Sequence, residues 1–265
     1  MHHPIERHVL RHRVQPLHVL ACGEGEPLVL LHGWGLAGVA YEPTMKAFAS
    51  QGWRVIAPTV RIGERWSLDL AGDLCAEAMA GMDMSSATVV GHSYGGLVGV
   101  GAAFGHPGFV RELIAISTPF VPIRQYGVRR FLQPGRQYRL AGHLAAVRAM
   151  ARTATSPGGL ANLTRIARWF FDNDDPELRE RLKALTLPRA LIWAEHDSLF
   201  PAEVGEASAE VFGGRFLTVE NAGGSRVDHD WPMRMPKHFA QTVGGLARVL
   251  ASEGPKKRGQ ASGGQ

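Results

Sequence analysis

Apolar positions along this chain follow two rhythms: short continuous runs rich in Val, Ile and Leu, and longer stretches in which apolar residues recur at helical spacing. A continuous run bounded by Gly or Pro reads as a strand buried on both faces, whereas a 3.6-residue period reads as an amphipathic helix. The strand-like runs are Arg13 to Cys22, an opening pair interrupted near Pro16, then Pro27 to Gly33, Trp53 to Val60, Thr88 to Gly91, Glu112 to Thr118, Arg189 to Glu195 and Arg215 to Asn221. Helical stretches fall at Ser67 to Met82 and Tyr94 to Gly105, and Pro236 to Ser252 closes the series. Strands alternating with helices predict an α/β fold, a mostly parallel sheet with helices on both faces.

The rhythm changes after Pro119. Residues 120–186 contain three helical segments, Arg136 to Arg152, Gly159 to Phe171 and Pro176 to Leu185, and no strand pattern. Function in open α/β sheets gathers at the carboxyl ends of the strands, so this block reads as a helical cap inserted over those ends. The expected organisation is a core formed by residues 1–119 and 187–253, a cap at 120–186, and a disordered basic tail at 254–265.

Composition narrows the possible partners. At 45% hydrophobic and 20% charged, the chain is ordinary for a globular protein with a sizeable core. No apolar run approaches the roughly 18 residues of a membrane span, so no membrane partner is expected. The net charge of +5 lies partly in the tail and is otherwise scattered among acids, which argues against nucleic acid. Two cysteines, Cys22 and Cys75, show no disulfide or metal spacing and fit a reducing cytosol. Arg11, Arg13, Gln15 and Pro16 interrupt the amino-terminal apolar residues, which argues against a secretion signal. None of the twelve histidines has zinc-ligand spacing, so neither metal nor cofactor is expected.

The candidate chemistry begins at "TVVGHSYGG", Thr88 to Gly96, where a strand stops, a G-x-S-x-G corner follows and a helix starts at once. That context holds a serine on a sharp turn with its hydroxyl at the top of the sheet, which makes Ser93 a candidate nucleophile. A serine hydroxyl needs a base to take its proton, and the base needs an acid to hold its tautomer. Both follow in the required order. Asp197 comes just after the strand at "LIWAE", and His229 lies in the loop before the closing helix. Asp197 has a rival in Glu195, or serves only as a turn cap. His229, flanked by Asp228 and Asp230, also fits an ion-paired surface histidine; it is favoured over His238, inside the closing helix, and His92, which points elsewhere on the corner. An oxyanion needs two donors, for which the backbone amides of Trp34, after "LVLLHG", and Tyr94, at the helix start, are expected.

With these residues in place, the chain resembles the α/β-hydrolase family through "HGWG" at 32–35, "GHSYGG" at 91–96, "WAEHDSLFP" at 193–201 and "HDWPMRMPKHF" at 229–239. The resemblance implies an eight-stranded sheet with a helical cap after the sixth strand, a Ser93, Asp197, His229 triad, and no metal or organic cofactor. It also implies a serine hydrolase that cleaves an ester, lactone or thioester of a small, largely apolar substrate through an acyl-enzyme. Carbon-carbon hydrolysis, cofactor-free perhydrolysis or a lyase step on the same triad, or a silent small-molecule binder, are the alternatives. Two departures stand out: "PTVRIGERWS" replaces the usual Asp and glycine-rich turn after the strand at 53–60, and "GGS" occupies the place where Gly-His is expected. Cap candidates for the pocket are Phe120, Phe131, Leu132, Tyr138, Trp169 and Phe170, with no more than two expected to touch substrate.

Overall fold

The computed structural model describes residues 3–11, 16–60, 66–126, 151–152, 154–155, 158–172, 174–222 and 224–254. Its main element is one eight-stranded sheet. The strands are β1 Glu6–Leu10, β2 Leu17–Cys22, β3 Glu26–Leu31, β4 Trp53–Pro58, β5 Ala87–His92, β6 Val110–Ile116, β7 Arg189–Ala194 and β8 Arg215–Val219. Their spatial order is β1-β2-β4-β3-β5-β6-β7-β8, with β1 and β2 antiparallel and β3 through β8 parallel. The opening pair differs from its expected place: its first strand is Glu6–Leu10, ahead of Arg13, and Leu10 pairs with Leu17.

Alternation along the strands builds two hydrophobic layers, because successive side chains point to opposite faces. Val29 and Leu31, Leu113 and Ala115, and Leu191 and Trp193 enter one layer, while Leu28 and Leu30, Ile114 and Ile116, and Ala190 and Ile192 enter the other. Helices α2 Leu68–Gly81 and α3 Tyr94–Gly105 cover the first layer. Helix α1 Glu42–Ala49 and the long carboxyl-terminal helix cover the second. Each of these strands therefore contributes to both cores, which is why they read as unbroken apolar runs. Ser67 caps α2 by accepting the Leu70 N–H at 3.1 Å, placing the helix start where the sequence puts it.

Between β6 and β7 the described residues form a 3-10 turn, Ile123–Tyr126, and the helices α4 Gly159–Asp172 and α5 Pro176–Ala184, with no strand among them. Asp175 caps α5 through the amides of Glu177 and Leu178. Residues 136–150 of the helix expected at 136–152, the tail from residue 255, and the candidates Phe131, Leu132 and Tyr138 lie outside the described residues, while 151–152 are helical. The chain continues through α6 Ala202–Phe212, a short α7 Trp231–Arg234 and α8 Pro236–Glu253. Among the described residues no helix is long and apolar enough to cross a membrane.

Register places the chemistry. From β3 the chain passes to β4 on one side, then crosses to β5 on the other, so the strand order reverses between β3 and β5. A crevice opens at the carboxyl ends of strands where order reverses in this way. Leu31 lies opposite Gly91, so the segments that follow, His32 to Trp34 and His92 to Tyr94, emerge side by side at that crevice.

Candidate active site

Ser93 occupies a backbone conformation that L-residues avoid, φ 54° and ψ −118°. Such a conformation costs roughly 1–3 kcal/mol and persists only where surrounding bonds over-determine it. The Ser93 N–H donates to the Ile116 carbonyl at 2.7 Å, and its own carbonyl accepts from the Thr118 hydroxyl at 2.8 Å and the Gly96 N–H at 3.0 Å. Gly95 lets the corner approach β3: a Cβ there would lie 2.3 Å from the Leu31 carbonyl oxygen.

His229 and Asp197 meet as the order of elements suggests. His229 Nδ1 lies 2.8 Å from Asp197 Oδ2, with the Asp197 side chain fully buried and the His229 side chain 10% exposed. Asp197 Oδ1 accepts two further bonds, from the Leu199 and Phe200 amides at 2.9 and 2.8 Å. An ionised carboxylate only accepts, so Nδ1 carries the ring proton and Nε2 keeps its lone pair. Phe200 packs edge-on against the ring, with centroids 5.2 Å apart. The alternatives lie elsewhere: Glu195 is exposed, and His238 Nδ1 accepts the Trp231 indole N–H at 3.1 Å on α8.

Ser93 and His229 line one cavity of about 240 Å³, together with Gly33, Trp34, Leu36, His92, Asp230, Met233 and the apolar residues Ala167, Phe170, Phe171, Leu199 and Phe200. Among the described residues no hydrogen bond joins the serine hydroxyl to the ring; such bonds commonly tighten only when substrate is bound. A larger depression of about 690 Å³ sits at the amino ends of β6 and β7, near Arg111, Arg181 and Pro188, away from the serine and its partners.

The Trp34 amide is aimed by its neighbours. His32 Nε2 accepts the Val60 N–H at 3.0 Å, so Nδ1 holds the proton and donates to the Gly33 carbonyl at 2.9 Å. The Leu36 N–H donates to the same oxygen at 3.1 Å. In a trans peptide the next N–H points opposite to the carbonyl, so pinning the Gly33 oxygen fixes the direction of the Trp34 N–H. The Trp34 indole N–H donates to the Leu163 carbonyl of α4 at 3.2 Å, tying this loop to the insertion. The Tyr94 side chain turns away from the cavity, its hydroxyl accepting the Trp66 indole N–H at 2.9 Å, so only its backbone faces the corner. The Tyr94 amide leads α3, where the first N–H groups have no intrahelical acceptor.

A family model for the alpha/beta hydrolase family matches residues 28–242. The chain belongs to the alpha/beta hydrolase family. Among curated relatives, a pimeloyl-(acyl-carrier protein) methyl ester esterase of Aliivibrio salmonicida is 28% identical over 221 residues, 69% of this chain and 78% of that protein. The esterase of the same name from Aeromonas hydrophila subsp. hydrophila is 25% identical over 252 residues, 83% of this chain and 95% of that protein. The solved structure of the N-acyl homoserine lactonase AidH complexed with N-butanoyl homoserine superposes with a TM-score of 0.68 at 21% identity, covering 93% of this chain and 97% of that one.

Within this alpha/beta hydrolase the displaced histidine has a structural reason. Asn221–Ala222 and Ser225–Arg226 pair as a small antiparallel hairpin, and His229 comes after it in the chain. The other departure, residues 61–65 of "PTVRIGERWS", lies outside the described residues. Of the expected pocket aromatics, Phe170 lines the cavity, Trp169 packs against Trp66, and Phe120 stacks on Phe212 in the core. Sequence reasoning missed two residues. Asp228, which reads as an ion-pair partner for His229, instead accepts the Ser198 N–H at 2.8 Å and the His229 N–H at 2.6 Å, bracing the acid loop against the histidine loop. Tyr41 carries no motif in the sequence, yet its hydroxyl reaches the corner between Gly33 and His92.

Proposed function

We propose that this chain is a serine hydrolase that cleaves an ester, lactone or thioester with a small, largely apolar acyl group. The observation that carries the proposal is the buried Asp197–His229 bond at 2.8 Å, with that imidazole bordering the same apolar cavity as a strained corner serine. In this reading His229 Nε2 takes the Ser93 proton as Oγ attacks the carbonyl carbon, and Asp197 holds the imidazolium that forms. The amides of Trp34 and Tyr94 receive the oxyanion. The tetrahedral intermediate collapses to an acyl-enzyme as His229 protonates the leaving group. Water, activated by the same ring, then releases the acid. One oxyanion donor contributes about 10²- to 10³-fold in rate. Helix α4 serves as the cap, contributing Ala167, Phe170 and Phe171 to the acyl pocket.

Serine as nucleophile restricts the bond that can be broken. Attack on an epoxide carbon leaves an ether on the enzyme, which this machinery has no means of hydrolysing, whereas attack on a carbonyl leaves an ester that it does. The esterase and lactonase relatives support the acyl-transfer reading. The test is p-nitrophenyl butyrate hydrolysis combined with covalent labelling by a fluorophosphonate probe. Both are expected for the native chain and neither for Ser93→Ala, since loss of the nucleophile costs about 10⁶-fold in kcat. Native protein that neither turns over the ester nor takes the label would overturn the proposal and favour a silent binder.

A further inference from the structure

The first variable position of the G-x-S-x-G corner is His92, and its imidazole has a defined place in the site. The ring is 1% exposed and bonded at both nitrogens, Nε2 at 2.8 Å from the His229 carbonyl and Nδ1 at 2.6 Å from the Tyr41 hydroxyl. That hydroxyl, also fully buried, lies 3.0 Å from the Gly33 N–H. Every proton position in this file is forced. A carbonyl only accepts, so His92 Nε2 must donate to His229. In a neutral ring Nδ1 then accepts, so the Tyr41 O–H donates to it, and the Tyr41 oxygen accepts from Gly33.

The file crosses the site from end to end. Gly33 belongs to the loop that presents the Trp34 amide, His92 adjoins the serine, and the His229 carbonyl belongs to the residue whose ring holds Asp197. The rings of His92 and His229 lie 4.8 Å apart between centroids. Burial, and the nearness of His229, hold the His92 imidazole well below the ordinary histidine range. It therefore stays neutral when His229 takes up a proton, and its donor and acceptor do not exchange during turnover.

The geometry points to His92 and Tyr41 as positioning residues whose hydrogen-bonded file sets the distance between the oxyanion loop and the backbone of the base. This inference rests on the serine-hydrolase reading. Its action on rate is geometric, because a misplacement on the order of 1 Å between reacting groups can cost about 10²-fold.

The test is steady-state hydrolysis of p-nitrophenyl butyrate, together with fluorophosphonate labelling rates, for Tyr41→Phe, His92→Leu and the double variant. His92→Gln, whose amide nitrogen can restore the donor to the His229 carbonyl, completes the set. The expected result is a fall of about 10- to 100-fold in kcat for each single variant, with KM within about threefold. The double variant should be no slower than the slower single, since both cut one file, and His92→Gln should recover at least about threefold over His92→Leu. A residue that only supports folding would lower the melting temperature and leave kcat per folded molecule unchanged. That result in variants that fold overturns the inference, as does a double variant whose losses multiply. If His92→Leu does not fold, Tyr41→Phe and His92→Gln carry the same comparison. Failure of the serine-hydrolase reading shows separately, as native protein that takes no label.

Discussion

Replacing Asp197 by Asn changes one atom in the acid and should nearly abolish turnover. The reason lies in which way the amide must face. Asp197 Oδ1 accepts the Leu199 and Phe200 amides at 2.9 and 2.8 Å, so in Asp197→Asn the carbonyl oxygen has to remain there. Turning the amide over would set its NH₂ against two backbone N–H groups and strand both, at about 1–3 kcal/mol each, or roughly 2–6 kcal/mol together. The NH₂ is thus directed at His229, where it donates to Nδ1 and leaves the ring proton on Nε2. That is the tautomer that cannot take a proton from Ser93. The variant also removes the negative charge that supports the imidazolium. Regaining the productive tautomer and losing that charge together amount to about 4–5.5 kcal/mol, a fall in kcat of about 10³- to 10⁴-fold. The assay is p-nitrophenyl butyrate hydrolysis on protein whose thermal transition has been measured. Asp197→Ala supplies the comparison, since it leaves Nδ1 unforced and should be no slower than Asp197→Asn. A folded Asp197→Asn enzyme within tenfold of native kcat would refute the assignment of this carboxylate.

The fully buried His92 gives a pH signature for stability. Its folded pKa is depressed well below the ordinary 6.5, chiefly by burial, then by the nearby His229, with His32 adding a smaller push in the same direction. The unfolded chain therefore binds the extra proton first as pH falls. Stability from this group is fully present above about pH 6.5 and is lost below it, with a slope of up to about 1.4 kcal/mol per pH unit. Denaturant unfolding at pH 7.5 and 5.5 should show the loss, and His92→Gln should make it shallower; equal slopes in the two proteins would contradict the assignment. Gly95→Ala should destabilise the fold by about 1–3 kcal/mol or more, because its Cβ would sit 2.3 Å from the Leu31 carbonyl, a backbone atom that cannot rotate aside. The melting temperature reports it, and an unchanged value would mean the corner is looser than drawn.

The parts of this molecule legible in its sequence are those where one local rule acts alone. Strands β3 to β7 are apolar on both faces because helices cover both sides, so they appear as continuous runs closed by Gly or Pro. The corner is readable because a strand, G-x-S-x-G and a helix follow without a spacer; Asp197 comes soon after the end of β7, whereas a further hairpin separates His229 from β8. Helix α1 has only eight residues and starts at Glu42-Pro43, too short to impose a period. Strand β1 leaves no hydrophobic signature because it is largely exposed and lacks an apolar run. Tyr41 and His92 were opaque for another reason. Their roles depend on partners 8 and 137 positions away, and each side chain alone fits a bland description, a core aromatic or a variable motif position.

The paired glycines after the serine show how strain and sequence are joined. Holding Ser93 at φ 54° costs roughly 1–3 kcal/mol, while three hydrogen bonds to its own backbone return about 0.5–1.5 kcal/mol each, so the conformation is stable only while most of them survive. One of the three comes from the Thr118 hydroxyl, and Thr118 occupies its place only because residue 96 lacks a side chain: a Cβ on Gly96 would lie 2.1 Å from Thr118 Oγ1. The second glycine thus supports the serine indirectly, by leaving room for the residue that holds its carbonyl. Gly95 acts in a related way, since its missing Cβ lets the corner approach the Leu31 carbonyl of β3. Small residues around the corner make space for groups arriving from neighbouring elements, and those groups keep Ser93 where a relaxed chain would not leave it.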